Sequence, residues 1–556
     1  MSRCLTASLA ALGACAPADR LEPVARSPHE LTARFASCES PEPFAGRFVD
    51  SASARGITRP LQATPTAAYY HGPQTGVIAD DIDLDGDIDL LFWDGSQQLH
   101  LYWNDGRGDF EAGTLPPPPD LGPHHFLRVA GAGDIDGDGR LDLVWAGDGV
   151  ALWSINVGDQ AFAPWQVALA DDEAVLAGYA SAAFGDVDDD GDLDVMLAGL
   201  DQRPAGEPLP SAAEAWTASP DRLLVNEGGQ LVAGPVLVQS EGPTMSLIQT
   251  FTDRDLDGDA DLLSWADRAD AIEGCPGAAF WRNDDGNLVN DAPSLAADTR
   301  ASAMGLGSAD FNRDGLLDYC VTDIADRLTC LMSDGRGGYY EGAAAMGLTL
   351  DRGQHPDWRP SDATWSVYVG WGLTMVDLDN DGLEDAAATG SIVSTRLDLD
   401  QPDVDSFQPH WLWRGTSAGQ FETDLTTGFE SSTRWAWGMA SADLDGDGSR
   451  ELITAPAHGL PEVWDNPCTA GAALEVELAM EGSNRHAVGA TVAVSAGGTT
   501  WRQQVGSAAA GGQSPARLHF GLGTQAAAAT VEVLWPGGER TVTAGVPANS
   551  RVRIRP

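Results

Sequence analysis

Lysine is absent from the 556 residues, and all 32 basic side chains are arginine. Against them stand 83 acidic residues, for a formal net charge of −51. A chain so poor in positive charge is excluded from nucleic acid and from anionic membrane surfaces, because phosphate binding needs a basic face. The charge fits cation binding and solubility. Cysteine is scarce, at 7 residues, and no C-x-x-C pair occurs, which removes the usual zinc and thiol-redox patterns. No apolar run reaches the roughly 18 residues of a membrane-spanning helix. The zinc-protease motif is missing, since His29-Glu30 has Ala33 where the second histidine would stand. Walker and dinucleotide loops are missing as well. Gly415-Thr416-Ser417-Ala418-Gly419 has the letters G-x-S-x-G. It runs into the strand-like Gln420-Phe421-Glu422 and so lacks the strand-to-helix context of a nucleophile elbow. Catalytic residues are therefore not expected.

What is present begins at the N-terminus. Arg3 is followed by an apolar stretch over residues 5–14 that suits a signal peptide. Leu12-Gly13-Ala14-Cys15 resembles the lipobox of bacterial lipoproteins, which makes Cys15 the acylated residue. The expectation is a signal segment over 1–15 and a linker over 16–44. The protein is then exported, either as a bacterial outer-membrane or cell-surface lipoprotein or in secreted form, and meets a membrane only through that lipid. Cys320 and Cys330 lie on two strand-like runs joined by a polar turn, where they can pair across a hairpin or stand as two core thiols.

One nine-residue pattern, D-x-[DN]-x-D-G-x-x-[DE], recurs seven times, at intervals of 52 to 67 residues. Such a period is the mark of a repeat architecture. Short apolar runs precede and follow the copies, as in Gly76-Val77-Ile78-Ala79 and Leu90-Leu91-Phe92-Trp93, so each acidic loop joins two strands. A third run ending in a Gly-rich turn and a fourth starting at an aromatic follow, as in Trp103-Asn104-Asp105-Gly106 and Phe110. Four strands per repeat, arrayed radially, describe a propeller blade. The last copy has only three strands before Pro467 and Cys468, whereas residues 46–51 read like a fourth strand. They are expected to close the ring and remove its free edges. Insertions at 201–220 and 396–409 read as surface loops.

Acidic residues at alternate positions of a tight loop, with glycine at the sharp turn, are the pattern that hard cations take. Positions 1, 3, 5 and 9 supply side-chain oxygens and position 7 a backbone carbonyl. The first loop offers Asp81, Asp83, Asp85 and Asp89, with Asp87 seventh; the second offers Asp134, Asp136, Asp138 and Asp142, with Arg140 seventh. The third has Asp186, Asp188, Asp190 and Asp194 around Asp192, and the fourth Asp253, Asp255, Asp257 and Asp261 around Asp259. The fifth has Asp310, Asn312, Asp314 and Asp318 around Leu316, and the sixth Asp377, Asp379, Asp381 and Asp385 around Leu383. The seventh has Asp443, Asp445, Asp447 and Glu451 around Ser449. The helix-loop-helix calcium motif needs Glu at position 12; no copy has it, and the flanks are strand-like. Up to seven calcium ions are expected.

The repeats resemble the calcium-binding FG-GAP or VCBS type found in integrin α-subunits and many bacterial surface proteins. Trp371-Gly372 and Trp437-Gly438 suit a narrower group. So do Ser483-Asn484-Arg485-His486-Ala487-Val488-Gly489, His519-Phe520-Gly521-Leu522-Gly523 and Val533-Leu534-Trp535-Pro536-Gly537-Gly538. These strings resemble the ASPIC/UnbV domain that follows the propeller in cartilage acidic protein-like proteins. Residues 506–514 depart from that group in being Ala/Gly-rich.

The expected fold is all-β: a seven-bladed propeller over 45–467 and a small antiparallel β-sandwich or barrel over 468–556. The expected function is non-enzymatic adhesion or recognition, with a polysaccharide or an extracellular protein as partner. The alternatives are a calcium-dependent polysaccharide-cleaving enzyme and a structural component of the cell envelope.

Overall fold

A computed structural model describes residues 29–35, 47–63, 75–171, 175–204, 217–237, 245–267, 277–284, 286–324, 327–350, 367–393, 409–432, 434–467, 471–506, 511–524 and 529–556. The expected signal segment with Cys15, most of the expected linker and most of both insertions lie outside the described residues.

Each acidic loop joins the first and second strands of an antiparallel sheet. The first sheet runs Gly76–Asp80, Asp89–Asp94, Gln98–Asn104 and Phe110–Ala112. Sheets of the same order begin at Leu127–Gly133, Val175–Gly185, Ser246–Thr252, Leu306–Ala309, Val367–Val376 and Ala436–Ala442. In the last, Val49–Asp50 pairs with Glu462–Asp465 and supplies the fourth strand from the N-terminal side of the ring. The first strands pack side by side, from Gly76–Asp80 through Leu127–Gly133 and Val175–Gly185 to Ser246–Thr252. On the other side Leu306–Ala309 packs on Val367–Val376, that strand on Ala436–Ala442, and that one back on Gly76–Asp80. Leu247, Ile248, Phe280, Tyr319 and Val321 share one core across the remaining junction. Apolar side chains between neighbouring sheets thus form the propeller's core, which dominates its stability. Cys320 and Cys330 face each other on adjacent strands and form a disulfide.

The C-terminal domain is two sheets on one shared core, with Val476, Phe520 and Ile554 against Val492, Val531 and Val546. Two expectations are corrected here. The domain is not wholly antiparallel: Ala472–Leu478 pairs parallel with Ser550–Ile554. Parallel strands need a long crossover, and the chain between these two supplies it by building the second sheet, from Thr491–Ala496 to Arg540–Val546. Nor is 16–44 all linker. Glu30–Arg34 pairs antiparallel with Ser550–Ile554 and covers an edge that would otherwise stand open.

The described end of the Ala/Gly-rich stretch, from Gly511 on, has a physical explanation. Gly512–Gln513 pairs parallel with Gly76–Asp80, the innermost strand of the first sheet. The Gln513 amide donates to the Ala132 carbonyl (2.9 Å) and accepts from the Ala132 amide (3.0 Å) on the second sheet. Ser514 Oγ accepts from the Ser441 amide of the seventh sheet. The glycine positions of this inserted strand have no room for a side chain. A Cβ on Gly512 would sit 1.8 Å from the Met439 carbonyl oxygen.

Candidate metal centres

The seven loops share one backbone. Position 1 accepts the amide of the position-6 glycine in every copy, at 3.1 Å for Asp81–Gly86 and 2.6 Å for Asp377–Gly382. Position 5 accepts the position-7 amide in every copy, as in Asp190–Asp192 at 2.9 Å. The backbone is left-handed at position 6 throughout, from φ 85° at Gly448 to 102° at Gly86. It is left-handed at position 4 as well, although five copies carry Leu84, Asp189, Leu256, Arg313 or Asn380 there. Side chains rarely adopt that region, so the loops hold position 4 there against its preference.

Position 9 starts the second strand and is the most enclosed. Asp89, Asp142, Asp194, Asp261, Asp318, Asp385 and Glu451 are all buried. In six copies one oxygen accepts the position-2 amide, from Ile82, Ile135, Val187, Phe311, Leu378 or Leu444. In the first six the other oxygen accepts an amide at the end of the third strand, as with Asn104 on Asp89 at 2.9 Å. These bonds aim the carboxylates inward. Ligand oxygens of positions 1, 3 and 5 come within 4.8 Å of one another in the first, third and fourth loops, and those of positions 1, 3 and 9 in the second and sixth.

Burial drives these carboxyls toward their neutral form, and the neighbouring carboxylates add to it. Asp89 and Asp443 are pushed up to about 8. Asp142, Asp194, Asp261 and Asp318 are pushed up to about 7, and Asp134 and Asp186 to about 6. Several oxygens are also buried without a hydrogen bond: Oδ1 of Asp81, Asp134, Asp310 and Asp445, and Oδ2 of Asp261. Buried charge of one sign without partners is strongly unfavourable. An oxygen-coordinated cation removes that penalty and fits this donor set. Some expected ligands already carry an arginine: Arg140 contacts Asp138, Arg414 lies 2.9 Å from Asp379 and Arg55 3.1 Å from Asp445.

Sequence reasoning missed two features of the site. The first is a ring of asparagines. Asn104, Asn156, Asn226, Asn283 and Asn466 close the third strands, and each side-chain amide donates to the position-2 carbonyl of the preceding loop, on Leu444, Ile82, Ile135, Val187 and Leu378. The recurrence of Asn before a Gly-rich turn was its sequence signal. The second is the C-terminal domain, which docks on the acidic loops. Trp501 Nε1 donates to the Gly382 carbonyl at 2.8 Å, His486 to Gly139 at 2.8 Å, and the backbone amides of Asn484 and Gly537 to Gly191 and Gly258, each at 3.0 Å. Arg551 and Arg517 share the Gly86 carbonyl, Arg502 lies 3.9 Å from Asp310, and Phe35 covers Gly448. All seven loops therefore lie on one face, and one domain reads their turns. Between the fifth and sixth sheets and this domain lies a cleft of about 430 Å³, lined in part by Arg313, Tyr340, Glu384, Trp501 and Arg502. Gly415 and Gly419 flank a hairpin turn at its rim, between Trp411–Gly415 and Phe421–Thr423, with no helix after it.

The fold and the loops define a β-propeller of the extracellular type carrying a C-terminal β-domain. More particularly, residues 81–145 and 134–197 match the FG-GAP-like repeat, and residues 480–556 match the ASPIC and UnbV family. No curated protein matches the chain. Among solved structures it is similar to an Agrocybe aegerita lectin that recognises non-reducing terminal N-acetylglucosamine, at 17% identity and TM-score 0.38, over 68% of this chain and 88% of that one. It is also similar to Saccharomyces cerevisiae Sqt1, at 11% identity and TM-score 0.40, over 73% of this chain and 100% of that one. A fungal alcohol oxidase in complex with copper aligns at 9% identity and TM-score 0.41, over 88% of this chain and 100% of that one. At scores this low none of these bears on the architecture or function of this chain. Among the described residues no helix is long and apolar enough to cross a membrane, which says nothing of β-barrels.

Proposed function

We propose that this is an exported calcium-binding protein whose seven sheets are the seven blades of one ring, and that it acts as a non-enzymatic recognition module for a polysaccharide or an extracellular protein. The observation that carries the calcium reading is the set of buried carboxylate oxygens without hydrogen bonds at Asp81, Asp134, Asp261, Asp310 and Asp445. They recur in five of the seven loops, which share one backbone geometry. Positions 1, 3, 5 and 9 would supply the oxygens, and the ion would neutralise the cluster and fix each turn. Affinities on the order of 10⁻⁴ to 10⁻³ M follow for extracellular modules of this kind.

Recognition is supported by the export reading, by the half-exposed Tyr340 on the cleft and by the insertions at 201–220 and 396–409. Each insertion falls in the chain between the start of a second strand and the start of a third, Asp194–Pro204 and Asp221–Asn226 for one, Asp385–Val393 and Trp411–Gly415 for the other. The test is retention of acidic and neutral polysaccharides by the calcium-loaded protein, scored with new reducing or unsaturated ends. Retention lost on chelation, without new ends, supports the reading. New chain ends would make the protein an enzyme and overturn it.

A further inference from the structure

The fourth loop differs from the other six at position 2. That position is apolar in Ile82, Ile135, Val187, Phe311, Leu378 and Leu444, but it is Arg254 in the fourth loop. Arg254 is buried. Its Nε lies 3.5 Å from Asp261 Oδ2, and its Nη2 lies 2.6 Å from Asp291 and 3.7 Å from Asp255. The guanidinium stands 5.9 Å from the centre of the Phe280 ring. Asp255 and Asp261 are positions 3 and 9 of the same loop. In the other six loops the corresponding oxygen of position 9 accepts the position-2 amide; Asp261 Oδ2 is buried and takes no hydrogen bond. The asparagine ring is also interrupted here. Where the fifth sheet would present an asparagine to this loop, Ser333 closes the third strand and its amide bonds Asp318.

We propose that Arg254 is a built-in cation of the fourth loop and makes it a weaker calcium site than the third, whose Asp186, Asp188, Asp190 and Asp194 carry no arginine ion pair among the described residues. The inference rests on the calcium reading above. A fixed positive charge beside two carboxylates neutralises part of what a bound ion would neutralise, and it repels a divalent ion placed among them. One such charge at this range moves a carboxylate by about 1–3 pH units, so a penalty of about tenfold or more in calcium affinity is expected. The loop keeps its turn without the ion. The protein therefore fills its loops unevenly, with the fourth partly empty at calcium concentrations that saturate the third.

The experiment is calorimetric titration of the metal-free full chain with calcium. The wild type should show a tight class of sites that includes the third loop and a step weaker by about tenfold or more that includes the fourth. Arg254→Leu, which restores the residue found at Leu378 and Leu444, should move one site of that step into the tight class and leave the others in place. A second arm does not depend on that variant folding: Asp255→Asn should remove a site from the weak step, while Asp188→Asn should remove a tight one. The proposal is overturned if Asp255→Asn removes a tight site, or if the weak step keeps its size in a folded Arg254→Leu variant. Failure of the calcium reading itself is recognised separately, because then Asp188→Asn would also change nothing.

Discussion

Arg551 donates through Nη1 to the carbonyl oxygen of Gly86 at 2.9 Å, so a strand of the C-terminal domain holds the turn of the first acidic loop. The same guanidinium is anchored 2.8 Å from Glu475, which is buried. Burial alone would raise the Glu475 carboxyl, yet Arg517, Arg551 and Arg450 together hold it below its usual range. The proposed cation site and the docked domain thus share a single piece of backbone. Removing calcium should loosen both. At a free calcium concentration of about 100 times the dissociation constant each filled loop gains about 2.7 kcal/mol, so chelation should lower the melting temperature by many degrees. Protease should also reach the segment between the propeller and the C-terminal domain sooner in the chelated protein. A melt unchanged by chelator would mean that the loops hold no ion.

Asp134 gives a test in which the sign of the effect depends on calcium. Its side chain is buried; Oδ2 accepts the Gly139 amide at 2.9 Å and Oδ1 has no hydrogen bond. Asp134→Asn preserves shape and removes the charge. With calcium bound it deletes a ligand charge and should destabilise the fold by about 1–3 kcal/mol. In chelator it removes an uncompensated buried charge and should be neutral or stabilising. Urea unfolding in both buffers decides this, and destabilisation of equal size in both would show that Asp134 acts only through its hydrogen bond.

Much of this architecture could be read from the sequence because its signals are local. The nine-residue pattern fixed the loops, the period fixed the sheets, and the missing strand after Glu462–Asp465 pointed to Val49–Asp50. The features that were not legible depend on residues far apart in the chain. Glu30–Arg34 carries no mark showing that its partner is Ser550–Ile554. In the sequence the glycines at 511 and 512 marked only a departure from the resembled group, whereas the Trp437 and Met439 carbonyls lie against them and leave no space for a side chain. Arg254 fitted an x in the pattern, and only its contact with Asp261 shows that this x matters.

His519 provides a pH test, made at one fixed calcium concentration because its partner Asn380 belongs to the sixth acidic loop. It is buried, and its Nε2 lies 2.7 Å from Asn380 Oδ1. Burial pushes its imidazole down to about 3, with Arg450 adding to the shift and Glu475 opposing it. The unfolded chain takes up this proton near pH 6.5, and the folded chain does not. Above that pH the group has no effect on stability. Below it the unfolded state binds more protons, and stability falls by about 1.4 kcal/mol per pH unit down to the folded value. His519→Gln keeps a donor for Asn380 and should lessen the loss between pH 6.5 and 4.5 by up to about 2.7 kcal/mol. The buried carboxylates titrate in both proteins, so the difference between wild type and variant isolates the histidine. Parallel stability profiles would show that His519 does not titrate as described.

The inserted strand predicts a defect that reaches across the ring. Gly512–Gln513 lies beside Gly76–Asp80, and Gln513 and Ser514 extend the contact to Ala132 and Ser441. A methyl group at 512 would meet the Met439 carbonyl at 1.8 Å. That atom belongs to a buried strand paired along Glu451–Pro456 and cannot move aside alone. Gly512→Ala must therefore either shift the seventh sheet or expel the segment. Overpacking of this kind costs about 1–3 kcal/mol or more. Expulsion would also break the Gln513 bonds to Ala132, so the C-terminal domain should loosen although position 512 lies outside both of its packed sheets. Hydrogen exchange separates the two responses. Faster exchange confined to Ala436–Ala442 indicates a shifted sheet, and faster exchange at Ala132 and along Gly76–Asp80 as well indicates that the segment has left. A variant as stable as the wild type, with unchanged exchange at all three strands, would mean that the segment does not occupy the ring in solution.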